Sequence, residues 1–543
     1  MMTSSPIIEH ILHNGNIAVE PGSPLRIQAL AIGGGRILAA GSDAEILPLA
    51  RPGTKIENLN GALVVPGMID AHIHWKAYAE SLHMVQLFGM RSKEEALTQI
   101  ASYAATRPAG EWITGYGWAQ DEWDVKEFPS RHDLDAVLPD HPVFLRSRSG
   151  HAVWCNTRAL QIAGVTAETA VPVGSEVKLD ASGQPAGILL EWDAMLLVDR
   201  HIPVPTIETL ATQMIAAQDR ALSLGITAIH DFDDQESLAA LQVLREREEL
   251  ALRAVKNINK PYFDSLLHLG LRRGFGDDWL RIGALKLFAD GAIGPHTAYM
   301  IEPYIGEPDN YGIVVVDKEE MLDLVTRATS AGISSTVHAI GDRAVHDVLD
   351  VYESLRRFEA ANDIPRASRP HRVEHVQLIH PSDVNRLAEL DLIASMQPIH
   401  ATSDYEVADR VWGAARVPYS YNPRLQLDRG VTVAFGSDAP YDRIGTMVGI
   451  HAAVTRHRAD GSPGADGWTP EARITVDQAV RGFTIGAATA VGMESRQGRL
   501  LPGFLADLVV LDRDIYAISP DEIVHTNVTA TMVGGQWRFG GLN

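Results

Sequence analysis

The chain has 543 residues, 45% hydrophobic and 21% charged, a globular make-up too long for one small core. A formal net charge of -22 argues against nucleic acid or an anionic membrane as partner, because phosphates would be repelled. The single cysteine, Cys155, excludes an intrachain disulfide and a thiolate zinc cluster, so any metal must be held by nitrogen and oxygen.

At the N-terminus, Glu9, His10 and His13 stand where a secretory signal would carry basic and apolar regions. No apolar run approaches the ~20 residues of a membrane helix. A cytoplasmic protein is the expectation. Residues 7–65 alternate short apolar runs with turn residues and predict a small antiparallel β unit. Gly33-Gly34-Gly35 reads as a hairpin there, because Arg36-Ile37-Leu38 opens a strand and not the helix a dinucleotide fingerprint needs.

Eight apolar runs follow with the length of buried parallel strands, at 63–69, 225–230, 251–256, 281–288, 333–338, 372–376, 391–396 and 431–435. Helical patterns such as 319–331 separate most of them. Repeated strand–helix alternation predicts an α/β fold, a (β/α)₈ TIM barrel. The interval after the first strand is too long for one βα unit. It must hold an insertion, about 78–215, whose loops would emerge on the carboxyl-end face of the barrel. The last segment, with Leu508 to Leu511 and Val528 to Phe539, again reads as β structure. The two ends are expected to meet in one small β-sandwich. The expected domains are thus 1–65 and 495–543 for the sandwich and 66–494 for the barrel with its insertion.

Chemistry gathers at the strand ends. His72 and His74 are one residue apart at the end of the first strand, where alternate residues share a face. Lys286 interrupts the apolar run of the fourth strand. His338 ends the fifth, His375 the sixth, and Asp438 follows the eighth. Singly, each has a bland reading: a rim histidine, a helix cap or a snorkelling lysine. Together they place four imidazoles, one carboxylate and one amine on the face where barrels keep their active sites. An ammonium among apolar neighbours is unfavourable. Lys286 becomes useful if carbon dioxide carbamylates its nitrogen, giving an N-carboxylated side chain able to bridge two metal ions.

With these motifs the chain resembles the amidohydrolase superfamily, and within it the branch of YtcJ-like proteins and N-substituted formamide deformylases. The resemblance rests on Pro66-Gly67-Met68-Ile69-Asp70-Ala71-His72-Ile73-His74, Lys286-Leu287-Phe288-Ala289-Asp290-Gly291, His338-Ala339-Ile340-Gly341-Asp342-Arg343-Ala344, Glu374-His375-Val376-Gln377 and Gly436-Ser437-Asp438-Ala439-Pro440. It implies that His72, His74 and Asp438 hold the more buried ion, His338 and His375 a second, and carbamylated Lys286 both. The ion would be divalent, zinc suiting the ligands, with manganese, iron or cobalt as alternatives. A metal-activated hydroxide would attack the amide carbon while Asp438 accepts its proton and passes it to the leaving nitrogen.

The same resemblance points to Trp118 and His151, in Gly115-Tyr116-Gly117-Trp118 and Gly150-His151-Ala152, as pocket residues. Glu191 would reach the metal site. Where the branch carries serine and arginine this chain has Pro295-His296, so His296 is a further candidate for reading substrate. Ala119 stands where relatives often have an acid. The expectation is a metal-dependent amidohydrolase acting on a carbon–nitrogen bond of a small molecule. Monomer and homodimer are both open, as is one ion against two. The rivals are a mononuclear deaminase and a catalytically silent metal-binding regulator. The deaminase would want a glutamate near His338, where Ala339-Ile340-Gly341-Asp342 stands.

Overall fold

The computed structural model of the protein describes residues 7–120, 123–148, 152–171 and 175–541. Eight parallel strands form one nearly closed barrel: β1 (Met68–Ile73), β2 (Ile226–Asp231), β3 (Arg253–Asn259), β4 (Leu280–Phe288), β5 (Ser335–Ala339), β6 (Arg372–His375), β7 (Ile393–Met396) and β8 (Val433–Phe435). Neighbours in the sheet follow chain order from β1 to β8, each in parallel register. Such strands are covered on both faces, which is why they read as apolar runs rather than alternating ones. The helix Asp342–Ala361 shows how the cover works: Val345, Val348, Leu349, Tyr352 and Leu355 are buried at the three-to-four spacing of one helical face.

The first expected strand divides in two. Leu63–Pro66 pairs antiparallel with Leu508–Leu511 and parallel with Asn16–Ala18, in a sheet apart from the barrel. Gly67 is the pivot before β1. A Cβ there would lie 2.4 Å from the Thr227 hydroxyl, so only glycine fits between the two sheets.

The terminal strands make two sheets. One holds Arg36–Gly41, Ala29–Gly33, His10–His13 and Lys55–Asn58, and the other joins Leu63–Pro66, Asn16–Ala18 and Arg26–Ile27 to Leu508–Leu511, Val528–Val533 and Gln536–Gly540. Leu12, Ile32 and Val64 from the first end and Leu508, Val510 and Met532 from the last share one apolar cluster. The N-terminal part is not purely antiparallel, as the strand pattern suggested. His10–His13 runs parallel to Lys55–Asn58, because the chain crosses over between them instead of turning back in a hairpin.

By compactness the chain divides into Met1–Tyr78 with Met214–Asn543, and Ala79–Gln213. The second unit contains a six-stranded mixed sheet in the order Glu176–Leu179, Pro185–Leu190, Ala152–Cys155, Val143–Ser147, Ile113–Trp118, Val85–Gln86. Helices Lys93–Ala104, Arg131–Val137, Thr157–Ala163 and Trp192–Asp199 accompany it.

Candidate metal centre

Barrel closure sets the site. At the end of β8, Gly436 lies so close to β1 that a Cβ would stand 2.4 Å from the His72 amide nitrogen. Asp438 N–H then donates to the His72 carbonyl at 2.8 Å, and His74 N–H to the Ala439 carbonyl at 3.0 Å. These two bonds bring residues far apart in sequence side by side. Asp438 takes φ 60° and His375 φ 73°, left-handed values that cost non-glycine residues roughly 1–3 kcal/mol each and collect at functional sites.

Asp438 Oδ1 lies 3.5 Å from His72 Nε2 and 3.4 Å from His74 Nε2. It is buried and receives no hydrogen bond. His72, His375 and Asp438 each offer an atom within 4.8 Å of the others. Ring centroids connect the four imidazoles: 5.7 Å from His72 to His74, 4.8 Å from His72 to His375 and 4.6 Å from His375 to His338. Lys286 is 1% exposed, and its Nζ, also without a hydrogen bond, lies 4.7 Å from the Phe232 ring and 4.4 Å from that of Phe288. Phe232 stacks on His72 at 3.9 Å and Phe288 approaches His338 at 5.1 Å. The six residues marked at the strand ends therefore converge.

The far nitrogens of the rings are engaged, which fixes the near ones. His72 Nδ1 bonds Glu374 Oε2 at 2.6 Å, His74 Nδ1 bonds Asp233 Oδ1 at 2.9 Å, and His375 Nδ1 bonds Gln397 Oε1 at 2.8 Å. Since carboxylate and amide oxygens accept, Nδ1 carries the proton and Nε2 keeps its lone pair for the interior. In His338 the roles reverse: Nε2 donates to the Gly291 carbonyl at 2.9 Å, leaving Nδ1. Glu374 is itself held by Arg372 at 2.8 Å and by the Thr336 hydroxyl.

Electrostatics agree with a cation site. Burial lowers His72 to about 4 and His338 to about 3, and it takes His375 well below its ordinary value. All three are thus the neutral imidazoles that metal ligands must be. His74 goes the other way. Burial lowers it, but the Asp233 hydrogen bond and the charges of Asp438 and Asp233 outweigh that and raise it above its ordinary value. Lys286 falls from 10.5 to about 8, mainly through burial. Its two aromatic faces return only part of the ammonium's lost hydration.

A buried acceptor without a donor, imidazole lone pairs aimed at it and a desolvated amine together fit a divalent ion with nitrogen and oxygen ligands. The supporting shell carries no strand-end mark in the sequence. Glu374 and Gln377 flank His375, Asp233 follows β2, and Asp290 follows Lys286 in its motif. His400 Nε2 stands 3.6 Å from Asp438 Oδ2, and Tyr441, exposed, sets its ring edge-on to His74 at 5.0 Å. Glu374 and Asp290 lay inside quoted motifs, and that was the available signal. His400 and Asp233 had none, because their partners are contributed by other strands.

The four substrate-reading candidates are placed differently. Trp118 is fully buried in the inserted unit. Its ring packs on Trp123, Trp154 and Phe128, and its Nε1–H donates to the Leu145 carbonyl at 2.8 Å. This is the packing position that a conformationally fixed core tryptophan takes. Glu191, at φ 65° and half-buried, opens the helix Trp192–Asp199 in the same unit. His296, in the segment after β4, directs Nδ1 to Glu307 at 2.6 Å and stacks on Tyr304 at 5.1 Å. His151 lies outside the described residues.

The amidohydrolase family profile matches residues 55–539. The chain is 33% identical to Protein LONG AFTER FAR-RED 3 of Arabidopsis thaliana, over 98% of this chain and 92% of that protein. It is 29% identical to the putative amidohydrolase YtcJ of Bacillus subtilis, over 97% and 98% of the respective chains. With the N-substituted formamide deformylase of Arthrobacter pascens the identity is 30%, over 97% of both. Among solved structures, an uncharacterized metal-dependent hydrolase from Pyrococcus horikoshii OT3 superposes with a TM-score of 0.79 at 28% identity, covering 94% of this chain and 99% of that one.

Proposed function

We propose that this chain, which belongs to the amidohydrolase family and is a metal-dependent hydrolase of carbon–nitrogen bonds, cleaves an amide-type bond in a small organic molecule, of the N-substituted formamide or N-acyl class. The observation that carries the reading is Asp438 Oδ1, buried without a hydrogen bond and nearly equidistant from two imidazole nitrogens. His72, His74 and Asp438 would hold one ion, and His338 and His375 a second, with Lys286 reaching both. A bound divalent ion, zinc by ligand type, lowers the pKa of water from 15.7 to about 7 and polarises a carbonyl.

The residues supply the rest. Asp438 takes a proton from the attacking water on Oδ1 or Oδ2 and returns it to the leaving nitrogen, so that the carbon–nitrogen bond breaks to give a neutral amine and not a high-energy amide anion. Glu374 and Asp233 keep His72 and His74 in one tautomer and one orientation. Lys286, at about 8, presents an unprotonated amine far more often than an exposed lysine. Its lone pair attacks carbon dioxide, forming an N–C bond and releasing one proton, and the amine becomes an anionic carbamate. That step turns a repelled ammonium into a ligand.

The test is chelation followed by metal add-back, assayed with N-substituted formamides, acyl amino acids and aryl amides, with ammonia release from cyclic amines followed in parallel. The reading expects metal-dependent amide cleavage without ammonia. Ammonia release alone would favour the deaminase, and no metal-dependent turnover of any compound would favour the silent protein.

A further inference from the structure

A second cluster of potential ligands lies outside the barrel-mouth centre and shares no residue with it. His451 sits on the helix Thr446–Thr455, His457 follows that helix, and Asp521 belongs to the turn Pro520–His525 that leads into the strand Val528–Val533. One ligand atom from each lies within 4.8 Å of the others. The two imidazoles are buried, meeting edge to face at 5.0 Å, while Asp521 is exposed.

The proton count at His457 is the telling feature. Its Nδ1 lies 2.8 Å from the Arg458 carbonyl, which can only accept, so Nδ1 carries a hydrogen. In neutral imidazole Nε2 then holds a lone pair, and this nitrogen lies 3.0 Å from Asp521 Oδ1, which also has only lone pairs. Two acceptors facing one another require a positive centre between them. A second ring proton would satisfy that pair alone, whereas a cation would also engage the buried His451 ring beside it. Among the described residues, none hydrogen-bonds the ring nitrogens of His451. A metal ion uses all three groups. The carbonyl on Nδ1 is also the arrangement that normally orients a metal-ligating histidine.

We infer that His451, His457 and Asp521 form a second, peripheral site for a first-row divalent transition ion, zinc by ligand type. Three ligands leave a fourth tetrahedral position for solvent, so the ion would exchange with the medium. When bound, it fastens the turn before the strand Val528–Val533 to a barrel helix. The inference does not depend on which reaction the barrel centre performs.

Equilibrium dialysis of the full chain against zinc, with metal content measured afterwards, tests it. Asp521→Asn is the informative variant, being an exposed and nearly isosteric change; His451→Gln is the second. Both are expected to bind one equivalent less than the parent protein, to match its thermal midpoint in chelator, and to lose part of its zinc-induced rise. If Asp521→Asn and His451→Gln retain the parent's zinc content, the groups form a protonated ion pair and the site does not exist.

Discussion

In the barrel unit the fully buried large side chains include Lys286, Lys256 and Arg372, whereas in the inserted unit they are Trp118 and Trp154. Lys256 and Arg372 are answered by carboxylates, Asp231 at 3.1 Å and Glu374 at 2.8 Å. Lys286 and Asp438 Oδ1 are left without hydrogen bonds. The tryptophans have theirs: Trp118 donates to Leu145 and Trp154 to Ser130, each at 2.8 Å. Burying an unpaired polar group is unfavourable, whereas burying a satisfied indole stabilises the fold. The difference sets Lys286 and Asp438, proposed to do chemistry, apart from Trp118 and Trp154, which pack.

That comparison can be broken most sharply at Asp438. Asp438→Ala is expected to lower turnover roughly 10²–10⁴-fold with an unchanged thermal midpoint in chelator. Substantial residual activity would remove Asp438 as the base. Trp118→Ala should do the reverse. Circular dichroism should show a stability loss of about 3–5 kcal/mol in the inserted unit. Trp118→Phe, which keeps the ring contacts, should leave KM and turnover as they are. A raised KM in Trp118→Phe without lost stability would return Trp118 to the substrate pocket. A smaller effect sharpens the picture at the supporting shell: Glu374→Gln should weaken metal binding about 10–100-fold by calorimetric titration, because His72 loses the group that orients it.

Much of this was legible in the sequence, for identifiable reasons. Parallel strands covered on both faces write themselves as apolar runs, and a lysine such as Lys286 within one is conspicuous. Histidines alternating at a strand end point to one space. The break at Gly67 was not legible, because an apolar run does not record which of two sheets its halves join; that depends on Thr227 crossing behind it. Nor was the parallel pairing of His10–His13, since short strands carry no mark of direction. The roles of Asp233, Gln397 and His400 were hidden because each depends on a neighbour set by barrel closure. Trp118 shows how a motif and its surroundings can point differently. A family-like motif drew attention to it, while its surroundings are those of a core residue.

The most direct measurement is anomalous scattering from crystals of the zinc-loaded protein grown with bicarbonate. The account predicts zinc peaks enclosed by His72, His74, Asp438, His338 and His375, with density for a carboxyl group on Lys286 Nζ. Crystals that hold no zinc among these residues, with Lys286 a bare amine, would contradict it.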